Sequence, residues 1–171
     1  MITSAHLARP THTLCFLTSG DRILMLRRRK EPNRGLWNGV GGRIEEGETP
    51  YAACLREVRE ETGLQLNTAR FSGLLSWCAP VTEGVLALYT AAAPSEKVHR
   101  CDEGYLRWQT RRWVFSSRLV VSNIHVFGPD VLDGAPPCVY DFNYASNGRI
   151  QSYDRRPLPA SAQVSAYGAN I

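Results

Sequence analysis

The chain has 171 residues, 43% of them hydrophobic, and a formal net charge of +4. This length is enough for one domain with a sizeable core. The modest positive charge suits a small polyanion, without the basic stripe that nucleic-acid binders show, so no stable nucleic-acid complex is expected. No apolar run is long enough to span a membrane, so no membrane partner is expected. Cys15, Cys54, Cys78, Cys101 and Cys138 lack metal-ligand spacing and read as small buried residues in a reducing compartment.

The opening MITSAHLARP has no apolar core of the signal-peptide kind, and a cytoplasmic protein with a loose leader over residues 1–10 is expected. Thr11 to Thr18 and Arg22 to Arg28 read as strands joined at Ser19-Gly20-Asp21, hence a hairpin. The second strand ends in Arg27-Arg28-Arg29-Lys30, a cluster that is either solvated or holds phosphate through an arginine fork. Trp37 to Ile44 (WNGVGGRI) is a short strand and loop. Its Trp37 reads as core. Asn38 is either a turn residue or, through an amide that both donates and accepts, a reader of a base edge. The glycines around Gly41 and Gly42 would let backbone approach a phosphate or metal closely.

Thr49-Pro50 caps and starts a helix, and Gly63 closes it. Tyr51, Cys54, Leu55 and Val58 form its apolar stripe, with Glu57, Glu60 and Glu61 expected on the side away from that stripe. The three glutamates project within an arc of roughly 100°. Like charges this close repel, so either water screens them or cations neutralise them. Oxygen donors select hard ions, Mg²⁺ or Mn²⁺ and not zinc.

Arg70 to Cys78 and Gly84 to Ala92 read as central strands, apolar on both faces. A polar stretch leads to Glu103, a loop carboxylate before a further strand that ends in Trp108. Trp113 to Leu119 reads as strand or turn. Val120 to Leu132 reads as a helix interrupted near Gly128-Pro129, with Asn123 at its start. Val139 to Tyr144 and Ile150 to Tyr153 form a hairpin about Asn147-Gly148. The expected division is a domain over 1–153 and a flexible polar tail over 154–171.

The central stretch has a fixed spacing: Gly42, five residues, Glu48, seven residues, then Arg56-Glu57-Val58-Arg59-Glu60-Glu61-Thr62-Gly63-Leu64. It resembles the signature of the Nudix hydrolases at every fixed position, and the WNGVGG loop is similar to that of the MutT-type 8-oxo-dGTP diphosphatases. The resemblance implies an α+β Nudix fold, an α/β/α sandwich with a mixed central sheet and a loop-helix-loop signature. It implies a Mg²⁺-dependent pyrophosphohydrolase, Mn²⁺ being a possible substitute, acting on a nucleotide substrate. Glu57, Glu60, Glu61, Glu103 and the Gly41 carbonyl would hold metal. Glu57, Glu60 and Glu103 are the candidate bases, Asp102 competes with Glu103, and Arg56 would orient a glutamate. Glu48 would support the loop. Arg27 would contact phosphate, Gly41 and Gly42 the substrate, and Asn38 and Asn123 the base.

Oxidised purine nucleoside triphosphates, 8-oxo-dGTP first, are the expected substrates. ADP-ribose stays open because Pro80 lies near the position that marks that branch. Dinucleoside polyphosphates and RNA 5′-pyrophosphates stay open as well. A non-catalytic nucleotide sensor is the alternative outside enzymes, although no signature carboxylate is missing. The oligomeric state is left open.

Overall fold

A computed structural model describes residues 9–158 and Tyr167. The strands are β1 (His12–Ser19), β2 (Arg22–Arg28), β3 (Trp37–Asn38), β4 (Arg70–Cys78), β5 (Glu83–Ala92), β6 (Gly104–Thr110), β7 (Cys138–Tyr144) and β8 (Ile150–Pro157). The helices are α1 (Pro50–Thr62), α2 (Arg111–Ser116) and α3 (Ile124–Leu132). All eight strands join one sheet in the order β3-β2-β1-β5-β4-β7-β8, with β6 paired to β2. The sheet is mixed, because β1 with β5 and β4 with β7 run parallel while the other pairs are antiparallel.

Strand alternation sorts the side chains into two cores. Cys15, Leu17, Leu24 and Leu26 face α1 and pack with its Cys54 and Val58. Phe16, Ile23 and Met25 face the other way and pack with Val114 of α2 and Phe127 of α3. Each core fills one side of the sheet, which gives the α/β/α sandwich that the apolar runs of β4 and β5 require.

The ends of α1 follow their sequence signals. Thr49 Oγ1 accepts from the Ala52 N–H at 3.1 Å, and Gly63 takes a left-handed conformation with φ 77°. Two expectations needed correction. Trp113 to Leu119 is neither strand nor turn at its start: α2 covers Arg111–Ser116, capped by Thr110 Oγ1 on the Trp113 N–H. α3 also runs through Pro129 without a break. Gly128 has no Cβ to crowd the proline ring, and one there would press on the Phe115 ring, so the same glycine lets α2 and α3 pack.

The C-terminal hairpin turns at Gly148 with φ 76°, as its sequence signals, but β8 extends to Pro157. Most of the expected tail lies outside the described residues, as does nearly all of the leader. Within it, Leu158 is buried, and Tyr167 stacks on Phe71 with ring centroids 4.6 Å apart. Among the described residues no helix is long and apolar enough to cross a membrane.

Candidate active site

The loop between β3 and α1 lies against the start of β1. Thr13 N–H donates to the Gly42 carbonyl at 2.8 Å, and Cys15 N–H to the Val40 carbonyl at 2.7 Å. Gly41 adopts φ 150°, and a side chain there would collide with the Thr13 carbonyl. At Gly42 the space a Cβ would need is filled by the Glu57 carboxylate. The two glycines therefore do different things: one lets backbone meet backbone, the other lets backbone meet a carboxylate. Gly41→Ala is expected to destabilise the fold by several kcal/mol, since backbone must shift. Gly42→Ala should leave stability nearly unchanged, because a flexible side-chain end can move, yet cost most of the activity. Urea melts with steady-state rates would show whether the two separate.

The three glutamates of α1 do not share one environment. Glu61 is only 6% exposed, and its Oε2 accepts from the Gly41 N–H at 2.8 Å. Burial raises its pKa to about 7, against the Gly41 amide, and the charges of Glu57 and Glu103 push the same way while Arg28 opposes them. Glu57 is half-buried, and burial raises it too, against the Arg56 guanidinium. Glu60 is the exposed member. The expectation that all three stand away from the apolar stripe fails for Glu61. It follows Cys54 by seven residues, which brings it within about 20° of that buried side chain.

Arg56 ties the group together. Its Nε and Nη2 grip both Glu48 oxygens at 2.9 Å, and Nη1 donates to Glu57 at 2.9 Å and to Glu60 at 3.2 Å. Nη2 also reaches the Arg43 carbonyl at 3.0 Å, so one guanidinium fixes both the loop and the helix face. The same contact holds Glu48 below the usual carboxylate range.

Glu103 precedes β6 and binds Lys30 Nζ at 2.9 Å, while its charge is felt by Glu61. Asp102 is exposed and takes no part in that interaction. On β2 the alternation matters: both arginines donate Nε to a loop carbonyl at 3.0 Å, Arg27 to Gly35 and Arg28 to Pro32, but Arg28 shares the face of Leu24 and Leu26 and acts on Glu61. Arg28 is thus better placed than Arg27 to serve a ligand at the carboxylates. Its face could have been found from the period of two alone. Lys30 carried no comparable signal.

Asn38 uses its Oδ1 on the N–H of Gly39 at 2.9 Å, a local turn bond that leaves its amide nitrogen without a partner among the described residues. Asn123 precedes α3 without a side-chain cap bond, and its amide lies close enough to Tyr144 to favour the ionised phenol, against the burial that raises its pKa. Pro80 lies in the turn between β4 and β5, closed by the Ala79 N–H on the Thr82 carbonyl at 2.8 Å.

Among the described residues no three acidic, histidine or cysteine side chains converge closely enough to cage a metal by themselves. The donor set nonetheless fits a hard cation. Glu61 is a desolvated carboxylate with one neutral partner, it is within electrostatic reach of Glu57 and Glu103, and the Gly41 carbonyl beside it accepts no bond among the described residues. Glu57, Glu61, Glu103 and that carbonyl would hold the ion, with Glu60 at the solvent side.

The NUDIX domain family model matches residues 8–124, most of the chain. The chain therefore belongs to this family, the Nudix hydrolases. It is 30% identical over 102 residues to the uncharacterized Nudix hydrolase YvcI of Bacillus subtilis, covering 56% of this chain and 63% of that one. It is 35% identical over 66 residues to the mouse oxidized purine nucleoside triphosphate hydrolase, covering 39% and 42%. It is 42% identical over 60 residues to the Escherichia coli dihydroneopterin triphosphate diphosphatase, covering 34% and 39%. The chain thus spans less than two thirds of each of these relatives. A crystal structure of the MutT protein from Bacillus halodurans superimposes with a TM-score of 0.73 at 25% identity, over 86% of this chain and 98% of that one.

Proposed function

We propose that this protein hydrolyses a diphosphate linkage in nucleoside diphosphate derivatives, and that oxidised purine nucleoside triphosphates such as 8-oxo-dGTP are its preferred substrates, giving monophosphate and pyrophosphate. The reaction class is carried by one observation: the buried Glu61 on the Gly41 amide, beside a Glu57 that Arg56 holds in place. Asn38 and the likeness to the mouse enzyme support the substrate.

Mg²⁺, or Mn²⁺ in its place, would supply charge neutralisation at the diphosphate and a more acidic attacking water. The chain's residues do the rest. Glu57, with its proton affinity raised by burial, takes the proton from the water attacking phosphorus, and Arg56 fixes the carboxylate for that transfer. Glu103, released from Lys30, is the other carboxylate that can serve. Arg28 and Lys30 then meet the phosphate oxygens, and the pyrophosphate leaves as the new P–O bond forms.

Asn38→Ala is expected to lower the preference for 8-oxo-dGTP over dGTP by about tenfold, the worth of one hydrogen bond read as specificity, while dGTP turnover stays close to wild type. Pyrophosphate release across 8-oxo-dGTP, 2-hydroxy-dATP, dGTP, ADP-ribose and diadenosine tetraphosphate reads this, with AMP and ribose 5-phosphate followed for ADP-ribose. An unchanged preference in the variant would remove Asn38 from base recognition. Faster cleavage of ADP-ribose than of any triphosphate would favour the second reading, which rests on Pro80 in the β4–β5 turn.

A further inference from the structure

The fold joins the basic cluster at the end of β2 to arginines from β6 and α2. Directly opposed residues on β2 and β6 share a face, so Arg27 stands beside Tyr105, and Met25 beside Arg107. That face is the one α2 packs on through Val114, and the outer side of α2 carries the exposed Arg112. Arg29 lies over the Tyr105 ring, 4.7 Å from its centroid, and Tyr105 is 62% exposed. Arg34 extends the row on the β2–β3 loop, whose Gly35 carbonyl accepts from Arg27.

These five arginines make no ion pair among the described residues, whereas Arg22, Lys30 and Arg111 nearby each have a carboxylate. Five uncompensated cations around an exposed aromatic ring repel one another, and a polyanion would relieve that repulsion. The stripe also leads to the catalytic carboxylates, because the Arg29 N–H donates to the Glu103 carbonyl at 2.9 Å.

We propose that the β2–β6 face binds single-stranded nucleic acid, with phosphates along Arg27, Arg29, Arg34, Arg107 and Arg112 and a base stacked on Tyr105 in place of the Arg29 guanidinium. A flat aromatic face framed by arginines is how single strands are held without sequence readout, and an acidic protein surface would have no need of the ring.

The test is fluorescence anisotropy with a labelled ten-nucleotide single-stranded RNA bearing a 5′-hydroxyl, in buffer without divalent cation. This probe offers no diphosphate to cleave, so its binding is independent of the catalytic reading. Five phosphate contacts predict a salt slope of about −3.5, hence a loss of about 130-fold between 50 and 200 mM salt. Tyr105→Ala should weaken binding about tenfold. Arg107→Glu with Arg112→Glu should weaken it further and flatten the slope by about 1.4. Both variants should turn over nucleoside triphosphate at the wild-type rate, which also shows that they fold. Absence of binding at 50 mM salt, or binding indifferent to these substitutions, would overturn the proposal. So would polyglutamate binding equally well and showing the same loss in Tyr105→Ala.

Discussion

Glu57→Gln is expected to lower kcat by about a thousandfold with little change in melting temperature, in line with the effect of removing a positioned general base. The size follows from its setting. Its side chain is 15% exposed, one oxygen is fixed by Arg56 at 2.9 Å, and the carboxylate fills the space left by Gly42. Glutamine keeps the shape and the bond to Arg56 but cannot accept the proton. Glu60→Gln is the internal control. Its carboxylate is 59% exposed and its contact with Arg56 longer at 3.2 Å, so a loss of about tenfold is expected. Steady-state kinetics on both variants decide the matter. A Glu57→Gln enzyme retaining more than a tenth of wild-type kcat would remove Glu57 as the base.

The second large effect concerns stability without cation. The folded state holds the Glu61 proton up to a pKa of about 7, while the unfolded chain releases it near 4.5. Between those values the folded protein binds more protons, so stability must fall as pH rises through that window, and the loss is complete above pH 7. The gap corresponds to about 3 kcal/mol. Urea melts in chelator should therefore show wild type weakening from pH 4.5 to 7. Glu61→Gln should lack that slope. Adding Mg²⁺ at pH 8 should restore wild type and leave the variant as it was. Equal pH slopes in the two proteins would mean that the buried charge is compensated by something other than a cation.

Both predictions depend on geometry that was only partly legible in the sequence. The helix, its caps and its glutamates could be read directly, because capping and periodicity are local. That Glu61 faces inward could also have been read, from its seven-residue distance to Cys54, but its charge argued for the outer face. Charge was the weaker guide here, since a buried carboxylate is tolerable where an amide and a cation can meet it. That Arg28, and not Arg27, faces the α1 carboxylates could be read from strand alternation. Lys30 on Glu103 was not legible, because nothing local links a loop after β2 to the residue before β6. α2 was missed for a similar reason: Arg111–Ser116 is too short to show a helical period, and Thr110 was its one signal. The basic stripe was half legible: Arg27, Arg29 and Arg34 are close in the chain, but Tyr105 and Arg107 join them only through the pairing of β2 with β6, and Arg112 only through α2.

In the proposed function the α1 carboxylates serve cleavage of a nucleoside triphosphate between its α and β phosphates. The most direct test is product separation after incubating the protein with 8-oxo-dGTP and Mg²⁺, beside a Glu57→Gln control. Wild type should form 8-oxo-dGMP and pyrophosphate in equal amounts, and the variant next to none. Nucleoside diphosphate with inorganic phosphate, or equal turnover by the two proteins, would contradict it.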